Sequence, residues 1–264
     1  MSIRLENVSY SYLEGTPMAK VALQNVTLEI EAGEFVGLIG PTGSGKSTLI
    51  QHFNGLLLPI SGKVYVDGVD LTRKDTQLRF IRQKVGMVFQ YPEHQLFGET
   101  VLEDVGFGPR NGGLSEEDVI KRVREALSYV GLDYEAIKDH SPFELSGGQK
   151  RRVAIAGVLA MRPSVLILDE PTAGLDPEGR EEILGEIKHL HEERGITVIL
   201  VTHSMEDVAR LVDRLIVMEQ GHVALDGTLV EVFRQAGRLK EMGLGVPQIT
   251  ELMLEFKAQG LAVN

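Results

Sequence analysis

The sequence predicts an α/β fold that combines a mostly parallel sheet, a small antiparallel β subdomain, a helical subdomain and a short C-terminal helical extension. The first observation behind this prediction is a recurring unit, in which a short apolar run is followed by a turn and then by helical spacing. Runs that are apolar on both faces are typical of parallel strands buried between helical layers. Five runs have this character: Phe35–Ile39, Val85–Phe89, Val165–Leu168, Thr197–Val201 and Leu215–Met218.

The second observation is a set of runs, before and just after the first apolar run, in which apolar and polar residues alternate. Alternation is typical of strands that have one side facing solvent, and Gly62 and Gly68 bound the last of these runs. We therefore expect a smaller antiparallel sheet made of Val8–Tyr12, Thr27–Ile30 and Lys63–Asp67.

The third observation is a helical segment that interrupts the strand pattern between the Val85 and Val165 runs. Ser115 and Asp118 can form a capping box there, and an apolar stripe follows them. Gly131 can end the helix because glycine readily takes the left-handed conformation of a helix C-terminus. We expect a helical subdomain at about residues 98–160, inside one domain that covers residues 1–227.

The chain after residue 227 is also helical in character. Thr228 and Glu231 form a second capping box, and Pro247 is expected to separate two short helices. We assign residues 228–264 to a C-terminal helical extension. Its later part carries an apolar stripe with helical spacing, made of Ile249, Leu252, Met253 and Phe256.

Length and composition limit the classes of function. A chain of 264 residues with 43% hydrophobic residues can bury the core of one large domain. It contains no cysteine, which excludes disulfides and thiolate metal sites and suits a reducing cytoplasm. The formal charge of −11 argues against nucleic acid as a partner. Since no apolar run approaches the ~18 residues that a membrane span needs, we expect any role at a membrane to be peripheral.

A glycine-rich loop lies between the Phe35–Ile39 run and Leu49–Leu58, which has helical spacing. This context is what the G-x-x-x-x-G-K-[ST] pattern requires. Glycines let successive backbone N–H groups face one phosphate, Lys46 supplies a positive charge, and the Ser47 hydroxyl is an oxygen ligand suited to Mg²⁺. We therefore predict a nucleotide-phosphate site, which by itself would suit kinases, GTPases, helicases and transport ATPases alike, formed by Gly40, Pro41, Thr42, Gly43, Ser44, Gly45, Lys46, Ser47 and Thr48.

Two adjacent carboxylates follow the apolar run Val165–Leu168. Their position puts both at the carboxyl end of a central strand, where ligands of open α/β sheets bind. We expect Asp169 to reach the shell of a Mg²⁺ ion and Glu170 to act as general base on the attacking water.

The segment Leu145–Gln149, with the sequence LSGGQ, precedes a stretch of helical character. It resembles the signature of the ABC ATPase superfamily, and the fold is then expected to have an ABC-type P-loop core. In that family the signature of one subunit closes on the ATP held by another. The resemblance implies a head-to-tail dimer in which a partner's ATP is contacted by Ser146, Gly147, Gly148 and Gln149.

Four further positions resemble family motifs. Gln90 fits the glutamine that touches the metal beside the membrane partner, and Asp176 lies in a segment that crosses the dimer interface. His203 fits the switch histidine that contacts the γ-phosphate, and we group it with Glu170, Gln90 and Lys46 as catalytic residues. Tyr12 fits the aromatic residue that stacks on adenine, although Tyr10 could serve instead. By the same resemblance the metal ligands are Ser47, Gln90 and Asp169.

The segments Gln90–Phe97 and Glu99–Pro109 are similar to those of the ATPase (A) subunits of energy-coupling factor transporters, and more closely to the second A subunit of the usual pair. This resemblance implies a paralogous A subunit as partner, with a homodimer as the alternative. It also implies a membrane-embedded T subunit, an interchangeable substrate-binding S subunit and a location on the cytoplasmic face of the membrane. The transported substrate would be a vitamin or a transition-metal ion.

The resemblance to energy-coupling factor A subunits leaves the roles of Glu93, of the C-terminal stripe and of the whole chain open. Glu93 is a candidate for pairing with an arginine of the T subunit, or is an exposed loop carboxylate. The Ile249–Phe256 stripe contacts the other A subunit, or packs on the core of its own chain. The chain as a whole could instead energise another ABC importer or exporter, or act as a soluble ABC protein of translation or DNA repair.

Overall fold

The computed structural model describes residues 1–259, except for the side chains at positions 255, 257 and 258. Within this part of the chain, the strands form two separate sheets. The strands are β1 (Ile3–Tyr12), β2 (Lys20–Ile30), β3 (Phe35–Ile39), β4 (Ser61–Val66), β5 (Val69–Asp70), β6 (Val85–Val88), β7 (Val165–Asp169), β8 (Thr197–Val201), β9 (Arg214–Glu219) and β10 (His222–Thr228).

The helices surround these sheets and interrupt them in sequence. They are α1 (Lys46–Phe53), α2 (Leu78–Lys84), α3 (Val101–Asn111), α4 (Glu116–Ser128), α5 (Tyr134–Ile137), α6 (Gly147–Leu159), α7 (Pro177–Arg194), α8 (Met205–Leu211), α9 (Leu229–Phe233), α10 (Ala236–Glu241) and α11 (Gln248–Ala258). Short 3₁₀ turns lie at Pro92–Gln95 and Pro142–Glu144. Along residues 1–259, no helix combines the length and the apolar character that a membrane crossing needs.

The larger sheet has six strands in the order β10-β9-β3-β8-β7-β6. Its strands pair in parallel from β9 to β6, and β10 pairs with β9 in antiparallel fashion. The five apolar runs are five of these strands, which confirms the predicted parallel sheet. In β3, Phe35 and Ile39 face one apolar cluster while Val36 and Leu38 face another, so the strand is buried on both sides.

The smaller sheet is antiparallel, as predicted, with the order β2-β1-β4-β5. Its first two strands are longer than predicted, because β1 begins at Ile3 and β2 at Lys20. The pairing of β1 with β2 shifts register between Leu5 and Val8, and Asn7 has a left-handed φ of +49° there. A bulge of this kind breaks the two-residue alternation, so that a pattern search recovers only part of each strand.

Three helical predictions need correction. The helix after the glycine-rich loop ends at Phe53 and not at Leu58, because Gly55 turns the chain with a left-handed φ of +67°. The Ser115 hydroxyl accepts a hydrogen bond from the Asp118 amide, as predicted. The same hydroxyl donates to the Asp118 carboxylate, which does not accept the Ser115 amide, so the capping box is incomplete. Up to residue 259, the tail has three helices, α9, α10 and α11, and not two.

Candidate nucleotide and hydrolysis site

The predicted site residues follow neighbouring strands of the larger sheet. The glycine-rich loop follows β3, His203 follows β8, Glu170 follows β7 and Gln90 follows β6. The parallel register aligns Leu38 with Val201, Asp169 with Val201, and Val88 with Leu168. All four groups therefore leave the sheet at the same edge, and this edge is the one at which open α/β sheets bind ligands.

Two glycines give the loop its shape. Gly40 has φ +153°, and a Cβ added there would lie 2.3 Å from the Met218 carbonyl oxygen. Gly45 has φ +104°, and a Cβ there would lie 2.5 Å from the Ala22 carbonyl oxygen. The loop thus runs against the backbone of two strands at a distance that no side chain allows.

Lys46 begins α1 and is 8% exposed. Its ammonium donates to the carbonyl oxygens of Gly40 at 2.7 Å and Pro41 at 3.2 Å, which holds the side chain over the loop. Burial lowers the pKa of Lys46, and the carboxylates of Glu170 and Asp169 oppose this shift. A desolvated ammonium beside backbone amides is a strong site for a phosphate charge.

The Ser44 hydroxyl supports the fit of a phosphate to this loop. Its oxygen is buried and has no hydrogen-bond partner among the described residues. A buried hydroxyl normally finds a partner, because leaving it unsatisfied costs about 1–3 kcal/mol. A phosphate oxygen in the loop would supply that partner.

Two half-buried carboxylates, Asp169 and Glu170, lie at the same sheet edge as this loop. Burial raises the pKa of Asp169, and the Ser47 hydroxyl and the Lys46 charge oppose this shift. Burial also raises the pKa of Glu170; the His203 charge opposes this shift, and the Asp169 charge adds to it. A carboxyl with a raised pKa is a better general base near neutral pH than an exposed one.

Glu170 has an unusual backbone. Its φ is +51°, and its amide donates to the Val201 carbonyl of β8 at 2.9 Å. His203 Nε2 lies 3.1 Å from Glu170 Oε1, but outside hydrogen-bond alignment, so Oε1 is buried without a donor. Left-handed residues other than glycine concentrate at functional sites. The turn leaves one carboxylate oxygen of Glu170 buried and without a hydrogen-bond partner among the described residues.

Tyr12 and Tyr10 differ in what they offer to adenine. The Tyr12 hydroxyl lies 3.0 Å from Thr48 Oγ1 of α1, and the residue is 39% exposed. Tyr10 packs edge-on against both Tyr12 and His52, with ring centroids 5.1 Å apart in each case. Tyr12 therefore presents the more accessible ring next to the loop, while Tyr10 supports it.

The signature residues open α6. Ser146 and Gln149 form a complete capping box, in which the Ser146 hydroxyl accepts the Gln149 amide at 3.3 Å. Nothing lies within 4 Å of a Cβ built on Gly147 or Gly148, so this helix N-terminus faces open space. Asp176 caps α7 by accepting a hydrogen bond from the Gly179 amide, and it is exposed. Both segments are accessible to a second subunit.

Sequence reasoning missed Arg151 and assigned Glu93 differently. The Arg151 guanidinium donates to both carboxylate oxygens of Glu93, at 3.2 and 3.3 Å. Glu93 is therefore engaged within its own chain, a partner that neither of the two sequence-based alternatives included. The sequence Lys150-Arg151-Arg152 does not indicate which of its three side chains is buried, because that depends on packing with residues distant in sequence.

Comparison with known proteins identifies the family. A family model described as ABC transporter matches residues 23–173, more than half of the chain. The chain belongs to the ABC transporter family. As a member, it binds ATP and is an ATPase coupled to transport.

Relatives of this ABC protein agree on a branch. It is 59% identical to the energy-coupling factor transporter ATP-binding protein EcfA2 of Clostridium perfringens, over 100% of this chain and 93% of that protein. It is 53% identical to the EcfA2 protein of Streptococcus thermophilus, over 98% of this chain and 93% of that one. The predicted resemblance to the second A subunit is thereby confirmed.

Solved structures confirm the ABC fold. The structure of cbiO1 from Clostridium perfringens, described as part of the ABC transporter complex cbiONQ, has a TM-score of 0.79 and 42% identity, and the match covers 95% of this chain and 98% of that one. The dimeric structure of a post-hydrolysis state of the ATP-binding cassette MJ0796, bound to ADP and Pi, has a TM-score of 0.77 and 38% identity. That match covers 86% of this chain and 98% of the MJ0796 chain.

Proposed function

We propose that this chain is the second A subunit of an energy-coupling factor transporter, and that it hydrolyses ATP to drive uptake of a vitamin or transition-metal ion from the cytoplasmic face of the membrane. The names of the relatives support the branch. The observation that carries the proposal is the unbroken set of groups at one sheet edge: the glycine-rich loop, Gln90, Asp169, Glu170 and His203.

The proposed hydrolysis uses these groups in fixed roles. The loop amides and Lys46 hold the phosphates of ATP, and Tyr12 stacks on adenine. The Glu170 carboxylate takes a proton from a water molecule, whose oxygen attacks the γ-phosphorus in line as the bond to ADP breaks. His203 contacts the γ-phosphate from the neighbouring strand.

A magnesium ion completes the proposed site. The Ser47 hydroxyl and the Asp169 carboxylate are adjacent oxygen donors of the kind that Mg²⁺ prefers, and Gln90 follows the next strand along the sheet. When bound, the ion neutralises charge on the β- and γ-phosphates.

Two such chains, or this chain and a paralogue, are proposed to close on two ATP molecules. Ser146, Gly147, Gly148 and Gln149 of one subunit would then contact the γ-phosphate held by the other. The open space around Gly147 and Gly148 supports this role. Such a head-to-tail pair has twofold or pseudo-twofold symmetry.

Exposed apolar side chains support two contacts with other subunits. Phe97 is 60% and Phe107 is 49% exposed, and their rings meet edge-on at 4.8 Å, close after Gln90 in sequence. We assign this pair to the membrane-embedded T subunit, which is joined by a substrate-binding S subunit. In the tail, Ile249 is 61% and Met253 is 38% exposed, which favours the second A subunit over the chain's own core as their partner.

Affinity purification from native membranes tests the assembly. With this subunit as bait, mass spectrometry should detect a paralogous A subunit, a T subunit and an S subunit. A bait carrying Phe97→Glu and Phe107→Glu should keep the paralogue and lose both membrane proteins. Recovery of exporter subunits, or of translation or repair factors, would overturn the proposal.

Hydrolysis is tested by Glu170→Gln. Loss of a general base lowers the turnover number by a factor of about 10²–10⁴, while ATP binding should persist because Lys46 and the loop are unchanged. Glu178→Gln is the matched control, since that glutamate is exposed on α7. Turnover by Glu170→Gln at the rate of the control would remove Glu170 from this role.

A further inference from the structure

Arg151 is a buried cation that the proposed hydrolysis does not use. It lies two residues after Gln149 on α6, and its side chain is 2% exposed. The next residue, Arg152, has a 19% exposed side chain. Burial of a guanidinium is strongly unfavourable unless a carboxylate and further acceptors surround it. The contacts of Arg151 therefore show what the fold gains by burying it.

These contacts join three segments. Nε and Nη2 donate to Glu93, in the 3₁₀ turn that follows Gln90, with the bidentate geometry that only arginine offers. Nη1 donates to the carbonyl oxygen of Ala173, in the loop between Glu170 and Asp176. The side chain itself belongs to the signature helix.

Each of these segments carries a group that the reaction needs. Gln90 precedes Glu93 by three residues, and Ser146 opens the helix that holds Arg151. Ala173 is tied directly to the general base, because its amide donates to the Glu170 carbonyl at 3.2 Å. A shift of Ala173 would therefore alter the strained turn that aims the Glu170 carboxylate.

We infer that Arg151 is a positioning residue that holds the turn after Gln90, the signature helix and the loop after Glu170 as one unit. Movement of any one segment is thereby transmitted to the other two, and Glu170 is aligned only when all three are in register. The inference rests on the proposed role of Glu170 as general base.

The kinetic test uses the double variant Arg151→Met/Glu93→Leu in the purified transporter complex. Replacing both charges by apolar side chains of similar volume removes the burial problem, and such replacements often preserve stability. The melting temperature should stay near that of the wild type, whereas the bond to Ala173 is lost. We expect kcat to fall by about 10–100-fold, as for a small misplacement of a reacting group, with KM for ATP unchanged within about threefold because Lys46 still holds the phosphates.

Arg214→Met is the matched control. Arg214 pairs with Glu34 and Asp226 at the start of β9, on the sheet edge opposite the site. Its loss should lower the melting temperature and leave kcat unchanged. A control that loses kcat as the double variant does would mean that any broken arginine pair has this effect, and it would overturn the inference.

A distance measurement gives a readout that does not depend on hydrolysis. Because the chain has no cysteine, Gln95→Cys and Glu178→Cys introduce two exposed spin-label sites, one in the turn after Gln90 and one at the start of α7. Pulsed electron resonance should give a narrow distribution of distances in the otherwise wild-type chain and a broader one with Arg151→Met/Glu93→Leu.

Support for the inference requires both the fall in kcat and the broader distance distribution in the double variant. A wild-type kcat, or an unchanged distance distribution, in the double variant would overturn it. If instead the distances broaden as expected while Glu170→Gln still hydrolyses ATP, the link between the segments stands and the assignment of the base fails.

Discussion

Gly45 is a tightly constrained position of the glycine-rich loop and gives a sharp test of how the fold shapes the proposed ATP site. Its φ is +104°, and an added Cβ would lie 2.5 Å from the Ala22 carbonyl oxygen and 3.1 Å from Leu23 Cδ2. A left-handed conformation costs a residue with a Cβ about 1–2 kcal/mol, and an extra methyl in a packed site costs about 1–3 kcal/mol. Gly45→Ala should therefore lower the free energy of unfolding by about 2–5 kcal/mol.

Gly43→Ala separates the two contributions. Gly43 also has a left-handed φ, +81°, but nothing lies within 4 Å of its added Cβ. This variant should lose only the conformational part, about 1–2 kcal/mol. At about 2–4 °C per kcal/mol, the melting temperature should fall by roughly 2–8 °C for Gly43→Ala and by roughly 4–20 °C for Gly45→Ala.

Differential scanning calorimetry of the two variants and the wild type, without nucleotide, measures both effects. The difference between the variants reports the close approach of β2 to the loop. Equal losses in the two variants would refute the reasoning, because they would show that the Ala22 carbonyl moves aside at no cost.

Three further predictions concern titration and the tail. Burial raises the pKa of Glu170, so the folded protein is stabilised while this carboxyl is protonated and loses that stability as the pH rises through the folded-state pKa. Glu170→Gln should therefore have a higher melting temperature than the wild type at about pH 8. The two melting temperatures should converge at about pH 4, below the ordinary glutamate pKa of 4.5. Burial lowers the pKa of His52, whose Nε2 has no partner among the described residues. The free energy of unfolding should therefore fall as the pH drops below 6.5, the ordinary histidine pKa. His52→Phe should abolish that fall in denaturant titrations. Met253→Glu should leave the melting temperature of the single chain unchanged but weaken its association with the second A subunit in sedimentation at low ATP; an unchanged association would assign the tail to another role.

The elements that the sequence predicted best are those defined by local chemistry. The run Phe35–Ile39 is apolar at every position and is followed by Gly40, so a buried strand and a tight turn follow from neighbouring residues alone. The same holds for Thr228 and Glu231, whose complete capping box lies within four residues. In these cases the sequence contains all the interacting partners within one turn.

The predictions that failed depended on partners distant in the chain. The extent of β1 and β2 is set by pairing across a bulge at Asn7, which no alternation pattern contains. The pairing of Glu93 with Arg151 was missed because the two residues lie 58 positions apart in the chain. In each case the missing information was which backbone or side chain of a remote segment lies opposite.

The sequence by itself determined the chemical groups on which the proposed function of this ABC protein depends, because the glycine-rich loop, the two carboxylates and the signature are each continuous segments. Only the tertiary structure decided how these segments are joined. The strand order β10-β9-β3-β8-β7-β6 brings Gln90, Glu170 and His203 to one edge. Packing then buries Arg151 and not its neighbour Arg152, because only at that position do Glu93 and the Ala173 carbonyl supply the acceptors that a buried guanidinium requires.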